Sequence, residues 1–196
     1  CPPMFENLSK YHIVLASQSP RRREMLAHVG LAFEVRVLPD ADESYPAGIA
    51  GEEIARYIAC QKAKRYRRTM ASDELVITAD TIVCIDNRML GKPADENEAY
   101  EMLRLLSGRQ HEVITAFAVT TKKRFECQSV VTKVKFAELT EDMIRYYITH
   151  YKPYDKAGAY GIQEWIGYVG VENVEGSFFN VVGLPVQRLV NLLMTF

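Results

Sequence analysis

An acidic residue inside an apolar run is the strongest candidate for chemistry in this sequence. Asp80 interrupts Leu75–Ile85, a segment whose β-branched composition predicts one or two central strands. A buried, unpaired carboxylate is costly, so Asp80 must be neutralised or find a partner. It is either a structural residue held by backbone N–H groups at a kink, or an acid at a strand end that binds a divalent ion and orients or deprotonates water.

Three consecutive arginines lie at the start of a predicted helix. The apolar run Ile13–Ala16 predicts a short buried strand, and Ser19 and Pro20 are typical of the N-cap and first position of a helix that ends at Gly30. Cations are unfavourable at a helix N-terminus, which instead attracts anions. The segment is therefore either a capped surface helix with a solvated basic face or an anion-binding turn. The arginines are Arg21, Arg22 and Arg23.

Two lysines and an acidic loop could complete such a site. Lys62 continues the inner row of the predicted helix Gly51–Arg68, where it either lies along the surface with its ammonium in water or reaches the site. Lys92 lies on a short G-K-P loop and offers a compact cation suited to phosphate. The loop that follows the predicted strand Phe33–Leu38 is either solvated or helps to hold a metal ion through Asp42 or Glu43.

The composition is that of an ordinary globular protein. The 196 residues are 48% hydrophobic and 25% charged, enough for one domain or two small lobes. A formal net charge of −1 argues against a general nucleic-acid binder. Four cysteines lack C-x-x-C spacing, which favours reduced thiols over a disulfide framework or a zinc site. No apolar run approaches a membrane span and no signal-peptide pattern is present, so we expect a cytoplasmic protein.

The remaining segments predict further helices and strands. Residues 154–163 are rich in Gly and Ala, which either form a tight packing turn or let the backbone approach a ligand, with Gln163 able to contact the edge of a base. His111 has no second histidine at ligand spacing and is predicted to be structural. The other predicted elements are a helix from Asp95 to Gly108, strands His111–Thr121 and Val130–Phe136, a helix from Thr140 to Tyr147, and a last helix from Pro185.

Several motifs together resemble the Maf family of nucleotide pyrophosphatases. They are L-A-S-Q-S-P-R-R-R-E-M-L, with Met25 where Leu is usual, then A-D-T-I-V, G-K-P, D-K-A-G-A-Y-G-I-Q and N-V-V-G-L-P. Their order and rough spacing agree from about residue 12 onward. The resemblance implies an α/β, ITPase-like (HAM1-type) fold, in which a long twisted mixed sheet is flanked by helices and two lobes enclose a central nucleotide cleft. We therefore expect a single domain over residues 11–196, preceded by an N-terminal extension at residues 1–10.

The resemblance also implies an activity. Members cleave nucleoside triphosphates between the α- and β-phosphates with a divalent metal, which the absence of a Cys/His cluster predicts to be Mg²⁺ or Mn²⁺. By motif position, the resemblance implies that Asp80 is the catalytic acidic residue, and Glu43 matches an acidic residue that would hold the metal with Asp80. The positions on the phosphate side are Ser17, Arg21, Arg22, Lys62 and Lys92.

Three positions distinguish branches of the family: Arg21, Thr81 and Gln163. Arginine after S-x-S-P, rather than tryptophan, is similar to the branch acting on dTTP and UTP and not to the one acting on 7-methyl-GTP. The loop Ser44–Gly51 and the segment Glu164–Val174 match no family motif, and the second could alter the base pocket.

Two other functions stay open at this stage. The protein could be a regulator of cell division that binds a nucleotide without turning it over, although Asp80 beside a metal favours an enzyme. A nucleic-acid-binding module is disfavoured by the near-neutral charge and by basic runs without interleaved aromatic residues. The family is often dimeric, so a homodimer is compatible with the resemblance, but the sequence itself does not give the oligomeric state.

Overall fold

The computed structural model describes residues 2–37 and 43–196. The strands within these ranges form one mixed sheet. β1 pairs in parallel with β2 and β3, whereas β3 pairs antiparallel with β4, and β6 with β7. The order across the sheet is β2-β1-β3-β5-β6-β7. The strands are β1 (His12–Leu15), β2 (Glu34–Val35), β3 (Glu74–Ile85), β4 (Arg88–Leu90), β5 (Gln110–Thr120), β6 (Phe125–Phe136) and β7 (Val171–Glu175).

Helices connect and cover these strands, which confirms the predicted α/β fold with a mixed sheet. Each helix in the described ranges is too short or too polar to span a lipid bilayer. The α-helices are α1 (Pro20–Val29), α2 (Glu52–Thr69), α3 (Glu96–Leu106), α4 (Glu141–Tyr151), α5 (Trp165–Gly170), α6 (Phe178–Val182) and α7 (Val186–Leu193). Short 3₁₀ helices cover Pro3–Leu8 and Ala157–Ala159.

The first of two compact units contains Cys1–Asp80, Thr115–Val130 and Gly183–Phe196, as far as these residues are described. Its centre is the parallel pair β1–β3, in which three buried aliphatic pairs (Ile13–Leu75, Val14–Val76 and Leu15–Ile77) follow the pair His12–Glu74. The inner face of α2 packs through Ile54 and Ile58 as its apolar spacing predicts. The Thr78 hydroxyl of β3 donates to the Ala59 carbonyl of α2 at 3.2 Å.

The second unit contains Thr81–Ile114 and Val131–Val182. Its helices α3 and α4 lie against each other and bury leucine, isoleucine and tyrosine side chains. His111 is buried beside Phe136 and Tyr160, and its Nε2 lies 2.5 Å from the Tyr160 hydroxyl. The prediction that His111 is structural agrees with this environment.

Several predicted boundaries were wrong. β6 begins at Phe125 rather than Val130. Its start was missed because the first residues are exposed or half-buried and show no apolar alternation. α4 continues past Tyr147 to Tyr151. The segment after Gln163 that matches no motif forms α5 and then β7, which pairs with β6. The described part of the predicted strand Phe33–Leu38 is strand only at Glu34–Val35, while residues 38–42, including Asp42, lie outside the described residues.

The predicted N-terminal extension contains packed residues. Phe5 and Leu8 of its 3₁₀ helix are buried, with 2% and 3% of their surfaces exposed. The Asn7 side-chain amide donates to the Leu193 carbonyl of α7 at 2.9 Å. These residues therefore contribute to the core of the first unit.

Candidate active site

The turn from β1 to α1 is built as its sequence predicts. The Ser19 hydroxyl accepts the backbone N–H of Arg22 at 3.3 Å, and Pro20 occupies the first helical position. Ser17, at the end of β1, is buried, and its hydroxyl accepts the N–H of Ser19 at 3.2 Å. Gly30 ends the helix at a φ of 93°. The turn thus presents the N-terminal end of α1 beside a fixed serine hydroxyl.

Arg22 is held over this turn by a residue from the far end of the chain. Its Nε donates to the Gly183 carbonyl at 2.7 Å, and its Nη1 lies 3.5 Å from the Ser17 hydroxyl. Burial lowers the pKa of Arg22, while the negative charge of Asp80 raises it and the adjacent Arg21 lowers it further. A guanidinium remains protonated under these conditions, so Arg22 is a fixed cation that faces Asp80.

Lys62 lies between two carboxylates. From the inner face of α2, its ammonium lies 3.0 Å from Oε1 of Glu43 and 3.5 Å from Oδ1 of Asp80. The ammonium also lies 3.5 Å from the Ala79 carbonyl. The lysine stem is buried and little of the side chain is exposed, so Lys62 reaches the site instead of extending into water as the alternative interpretation had it.

Asp80 is buried in the middle of β3. Burial raises the pKa of Asp80, and the charges of Lys62 and Arg22 oppose that effect, whereas Glu43 adds to it. Its Oδ1 contacts Lys62, but its Oδ2 is buried and finds no hydrogen-bond partner among the described residues. A structural aspartate satisfied by backbone N–H groups would have both oxygens bonded, so this geometry favours the functional alternative.

The same residues fit a hard divalent cation. Mg²⁺ and Mn²⁺ are bound through carboxylate oxygens. The buried Oδ2 of Asp80 is such an oxygen without a partner among residues 2–37 and 43–196, and Glu43 contacts the same lysine as Asp80 does. Asp80 and Glu43 are therefore the residues that would hold the ion.

A second carboxylate cluster in the first unit has a different character. Ligand atoms of His12, Glu34 and Glu74 lie within 4.8 Å of one another. However, the guanidinium of Arg36 donates to both oxygens of Glu74, at 3.0 and 2.6 Å, and to Glu34 at 3.2 Å. Because a guanidinium already neutralises both carboxylates, the cluster is an ion-pair network that joins β1, β2 and β3.

The other predicted site residues belong to the second unit. Thr81 follows Asp80 in β3 and is half-buried. Lys92 is exposed in the loop after β4, and Gln163 is exposed in the loop before α5.

In the first unit, the structure brings together a cluster of predicted site residues that are linked by contacts or by charge: Ser17, Arg21, Arg22, Glu43, Lys62 and Asp80.

A hydrogen-bond network fixes the loop that carries Gln163. The Tyr147 hydroxyl donates to Glu164 at 2.5 Å and accepts the backbone N–H of Gly161 at 3.0 Å. The Lys156 ammonium lies 3.6 Å from the same Glu164 carboxylate. Contacts on both sides of Gln163 therefore restrain its backbone.

Sequence reasoning missed two of these contributors. Gly183 was noted within the motif N-V-V-G-L-P, but nothing in its type indicates that its carbonyl binds Arg22. Tyr147 lies in the apolar face of α4, so its pattern predicts only a core residue. Two features could have indicated its role: its position near the end of the predicted helix, and its hydroxyl, because a buried tyrosine hydroxyl usually has a hydrogen-bond partner.

The structure and this site define an α/β protein with a cationic strand-to-helix turn beside a buried carboxylate. Residues 12–196 match the profile of the Maf family, described as Maf-like protein. The chain belongs to this family.

Curated relatives extend over nearly all of the chain. A protein of Phocaeicola vulgatus named dTTP/UTP pyrophosphatase is 56% identical over 186 residues, which cover 95% of this chain and 96% of the relative. A protein of Parabacteroides distasonis with the same name is 56% identical over 193 residues, 98% of this chain and 100% of the relative. Among solved structures, a HAM1 protein from Coxiella burnetii is similar, with 17% identity, a TM-score of 0.49, and 95% of this chain and 100% of that chain covered.

Proposed function

We propose that this protein hydrolyses the bond between the α- and β-phosphates of dTTP and UTP, giving the nucleoside monophosphate and pyrophosphate. The observation that carries the proposal is the buried Asp80 carboxylate, which contacts Lys62 through one oxygen and leaves the other without a partner among the described residues. The curated relatives named dTTP/UTP pyrophosphatase support the same reaction.

In this proposal cationic and polar side chains bind the triphosphate. A triphosphate carries several negative charges, and the N-terminus of α1 is the positive end of the helix dipole. Arg22 is fixed by Gly183 and Ser19, so it needs little ordering when the substrate binds. The residues assigned to the phosphates are Ser17, Arg21, Arg22, Lys62 and Lys92.

Asp80 is the proposed catalytic acid-base residue. It orients a water molecule and accepts a proton from it as the water oxygen attacks a phosphorus of the α–β anhydride. The P–O bond of the anhydride opposite the water breaks in line, and the nucleoside monophosphate and pyrophosphate separate. Burial raises the pKa of Asp80, which strengthens it as a base, and the charge of Lys62 opposes that rise. A bound Mg²⁺ or Mn²⁺, held by Asp80 and Glu43, would neutralise charge that develops on the phosphates.

Selectivity for the base is assigned to Arg21, Thr81 and Gln163. Gln163 offers both a donor and an acceptor on one amide, which suits the edge of a pyrimidine. Tyr147 and Glu164 restrain its loop, so that the amide is presented in a defined position.

The decisive experiment is pyrophosphate release in the presence of Mg²⁺ or Mn²⁺ from a panel of nucleotides. The panel contains dTTP, UTP, CTP, 7-methyl-GTP, ITP and the common purine triphosphates. Selective release from dTTP and UTP supports the proposal. Release from 7-methyl-GTP alone would assign the protein to another branch of the family, and binding without release would favour a nucleotide-sensing regulator of cell division.

Three further features stay proposals. A two-lobed domain over residues 11–196 with a central nucleotide cleft is the arrangement that the family resemblance implies. The proposed compartment is the cytoplasm, and the proposed assembly is a homodimer, which light scattering of the purified chain would measure. No salt-sensitive binding to long DNA or RNA is expected, since the chain has a formal net charge of −1.

A further inference from the structure

One backbone hydrogen bond joins two loops of the second unit. The Gly158 N–H donates to the Gly91 carbonyl at 3.1 Å. Gly91 directly precedes Lys92, and Gly158 lies in the 3₁₀ helix Ala157–Ala159, shortly before Gln163. The loop that carries Lys92 is therefore fastened to the segment that leads to Gln163, although the two loops lie far apart in the sequence.

The backbone at Gly158 packs directly against β3. Its φ is 70°, and a Cβ atom there would lie 2.8 Å from Cγ2 of Val83, 3.1 Å from its Cβ and 3.2 Å from its Cγ1. The next residue, Ala159, is fully buried and has a φ of 63° without being a glycine. A residue other than glycine keeps this conformation only where its surroundings fix it, and such residues are frequent at ligand sites. The turn is therefore held in place by its packing.

Further contacts continue from this turn to Gln163. The Tyr160 hydroxyl, which is buried, lies 2.5 Å from Nε2 of His111. The Glu164 N–H donates to the Gly161 carbonyl at 3.0 Å and closes the turn that contains Gln163. The segment is thus anchored at its buried tyrosine and again at the turn itself, so that its backbone forms a continuous support.

We propose that Gly158 is a positioning residue for nucleotide selectivity, which holds the loop of Lys92 and the turn of Gln163 at a fixed separation. The inference rests on the proposed function, in which Lys92 binds the phosphates and Gln163 contacts the base. Because base and phosphates belong to one ligand, two binding residues on one rigid support are both satisfied only by a base with the matching edge. A base that Gln163 does not accept therefore also moves the phosphates away from Lys92, which lowers kcat/KM for the wrong nucleotide.

The link between the two loops can be tested without turnover, by hydrogen–deuterium exchange of the full chain. In Gly158→Ala the new Cβ atom meets Val83, so the bond to Gly91 should open. The amides of residues 88–92 and of residues 157–163 should then both exchange about 2- to 10-fold faster, which is the scale of one lost hydrogen bond. Faster exchange at residues 157–163 without any change at residues 88–92 would overturn the proposal.

Gly48→Ala is the matched control for this variant. It also places an alanine at a positive φ, 87°, but the described residues leave the space within 4 Å of its Cβ atom open. The control therefore introduces the same backbone strain without the steric clash, and exchange of both loops should stay at the rate of the unmodified chain.

The effect on selectivity is measured as the ratio of kcat/KM for UTP to kcat/KM for CTP, two nucleotides with the same sugar and phosphates. This ratio should fall by at least about tenfold in Gly158→Ala, since the amide of Gln163 is then no longer held relative to Lys92. It should not change in Gly48→Ala. A merely structural role of Gly158 would lower kcat/KM for both nucleotides equally and leave the ratio unchanged, which would refute the role in selectivity.

Val83 supplies a rescue variant. Val83→Ala removes Cγ1 and Cγ2, which are two of the three atoms that a Cβ atom at Gly158 would meet. In the double variant with Gly158→Ala, the exchange rates and the UTP/CTP ratio should return toward those of Val83→Ala alone, and the absence of any recovery would contradict the steric explanation. The double variant also carries the test where Gly158→Ala alone does not fold.

The two proposals fail in different ways. If the unmodified chain released no pyrophosphate from any nucleotide, the proposed function would fail. The exchange measurement would still decide whether Gly158 links the two loops, because it depends on neither substrate nor turnover.

Discussion

Lys62 places its ammonium 3.5 Å from Oδ1 of Asp80, although the two residues come from a helix and a strand that are separated by a loop. The contact offsets part of the cost of burying the Asp80 charge. Burial raises the pKa of Asp80 and Lys62 lowers it, so the proton affinity of the carboxylate depends on this one cation more than on any other described residue.

Replacing the carboxylate should remove the activity. In Asp80→Asn, pyrophosphate release from dTTP should fall by at least about 10²-fold, which is the usual contribution of a general base. The matched control is Asp86→Asn, which alters an exposed carboxylate of the turn after β3 that is paired with Arg109. The control should retain its rate, and both variants should keep the circular-dichroism spectrum of the parent. Near-normal turnover by Asp80→Asn would refute its catalytic role.

The pairing of Lys62 with Asp80 can be measured as a coupling energy. Lys62→Met leaves the buried carboxylate without its cation and should destabilise the fold by less than the roughly 3–5 kcal/mol found for fully buried pairs, because Lys62 is partly exposed. In the double variant with Asp80→Asn the loss should be smaller than the sum of the two single losses. Urea unfolding of the four proteins measures this, and strictly additive losses would mean that the contact contributes nothing.

Two neighbouring arginines offer a test of the proposed phosphate binding at the turn from β1 to α1. Arg22→Ala should raise the KM for dTTP by about 10- to 100-fold, the range expected for losing a charged hydrogen bond. Arg23→Ala removes the same charge from an exposed position on the same turn and should change KM by less than about threefold. Steady-state kinetics distinguish the two, and equal effects would show that only the net charge of the turn matters.

The Tyr147 hydroxyl should matter for the loop of Gln163. Tyr147→Phe removes an acceptor from the Gly161 N–H and a donor from Glu164, so it should destabilise the protein by about 1–3 kcal/mol and raise KM more than it lowers kcat. Tyr146→Phe, at a residue that is 43% exposed on the same helix, should be close to neutral. Thermal unfolding and kinetics provide the two readouts; identical behaviour of both variants would contradict a positioning role for Tyr147.

His111 should make the fold sensitive to mild acid. Burial lowers the pKa of His111 from 6.5 to about 4, so between these values the unfolded chain binds the proton and the folded chain does not. Stability should therefore rise with pH across this window and then level off, with a contribution of roughly 3 kcal/mol from this residue. In His111→Gln, which does not titrate, the difference in urea-unfolding free energy between pH 7 and pH 5 should be smaller; an unchanged difference would contradict this assignment.

Local signals in the sequence predicted the elements that carry the site. The N-cap of α1 at Ser19 and its end at Gly30 follow from residue type, because the hydroxyl and the positive φ are requirements of those positions. The strand around Asp80 follows from its composition, and the family motifs marked Asp80 itself.

Contacts between distant residues could not be predicted in this way. Neither the bond from Arg22 to Gly183 nor the bridging of Glu43 and Asp80 by Lys62 has a signature in residue type or spacing. α5 lies in the segment that matched no family motif, and at its Gly167 a Cβ atom would lie 1.8 Å from the Ile162 carbonyl oxygen. Close backbone packing, rather than helix propensity, explains the residue at that position.

The bond from Arg22 to Gly183 has a consequence for how the protein is made. The two residues are 161 positions apart, which a ribosome takes roughly 8–32 s to translate at about 5–20 residues per second. During that interval the nascent chain already contains α1 and its arginines but lacks the carbonyl that orients Arg22. The turn that carries Arg22 therefore acquires this contact late in synthesis, and a chain stalled before Gly183 would expose a basic segment without it.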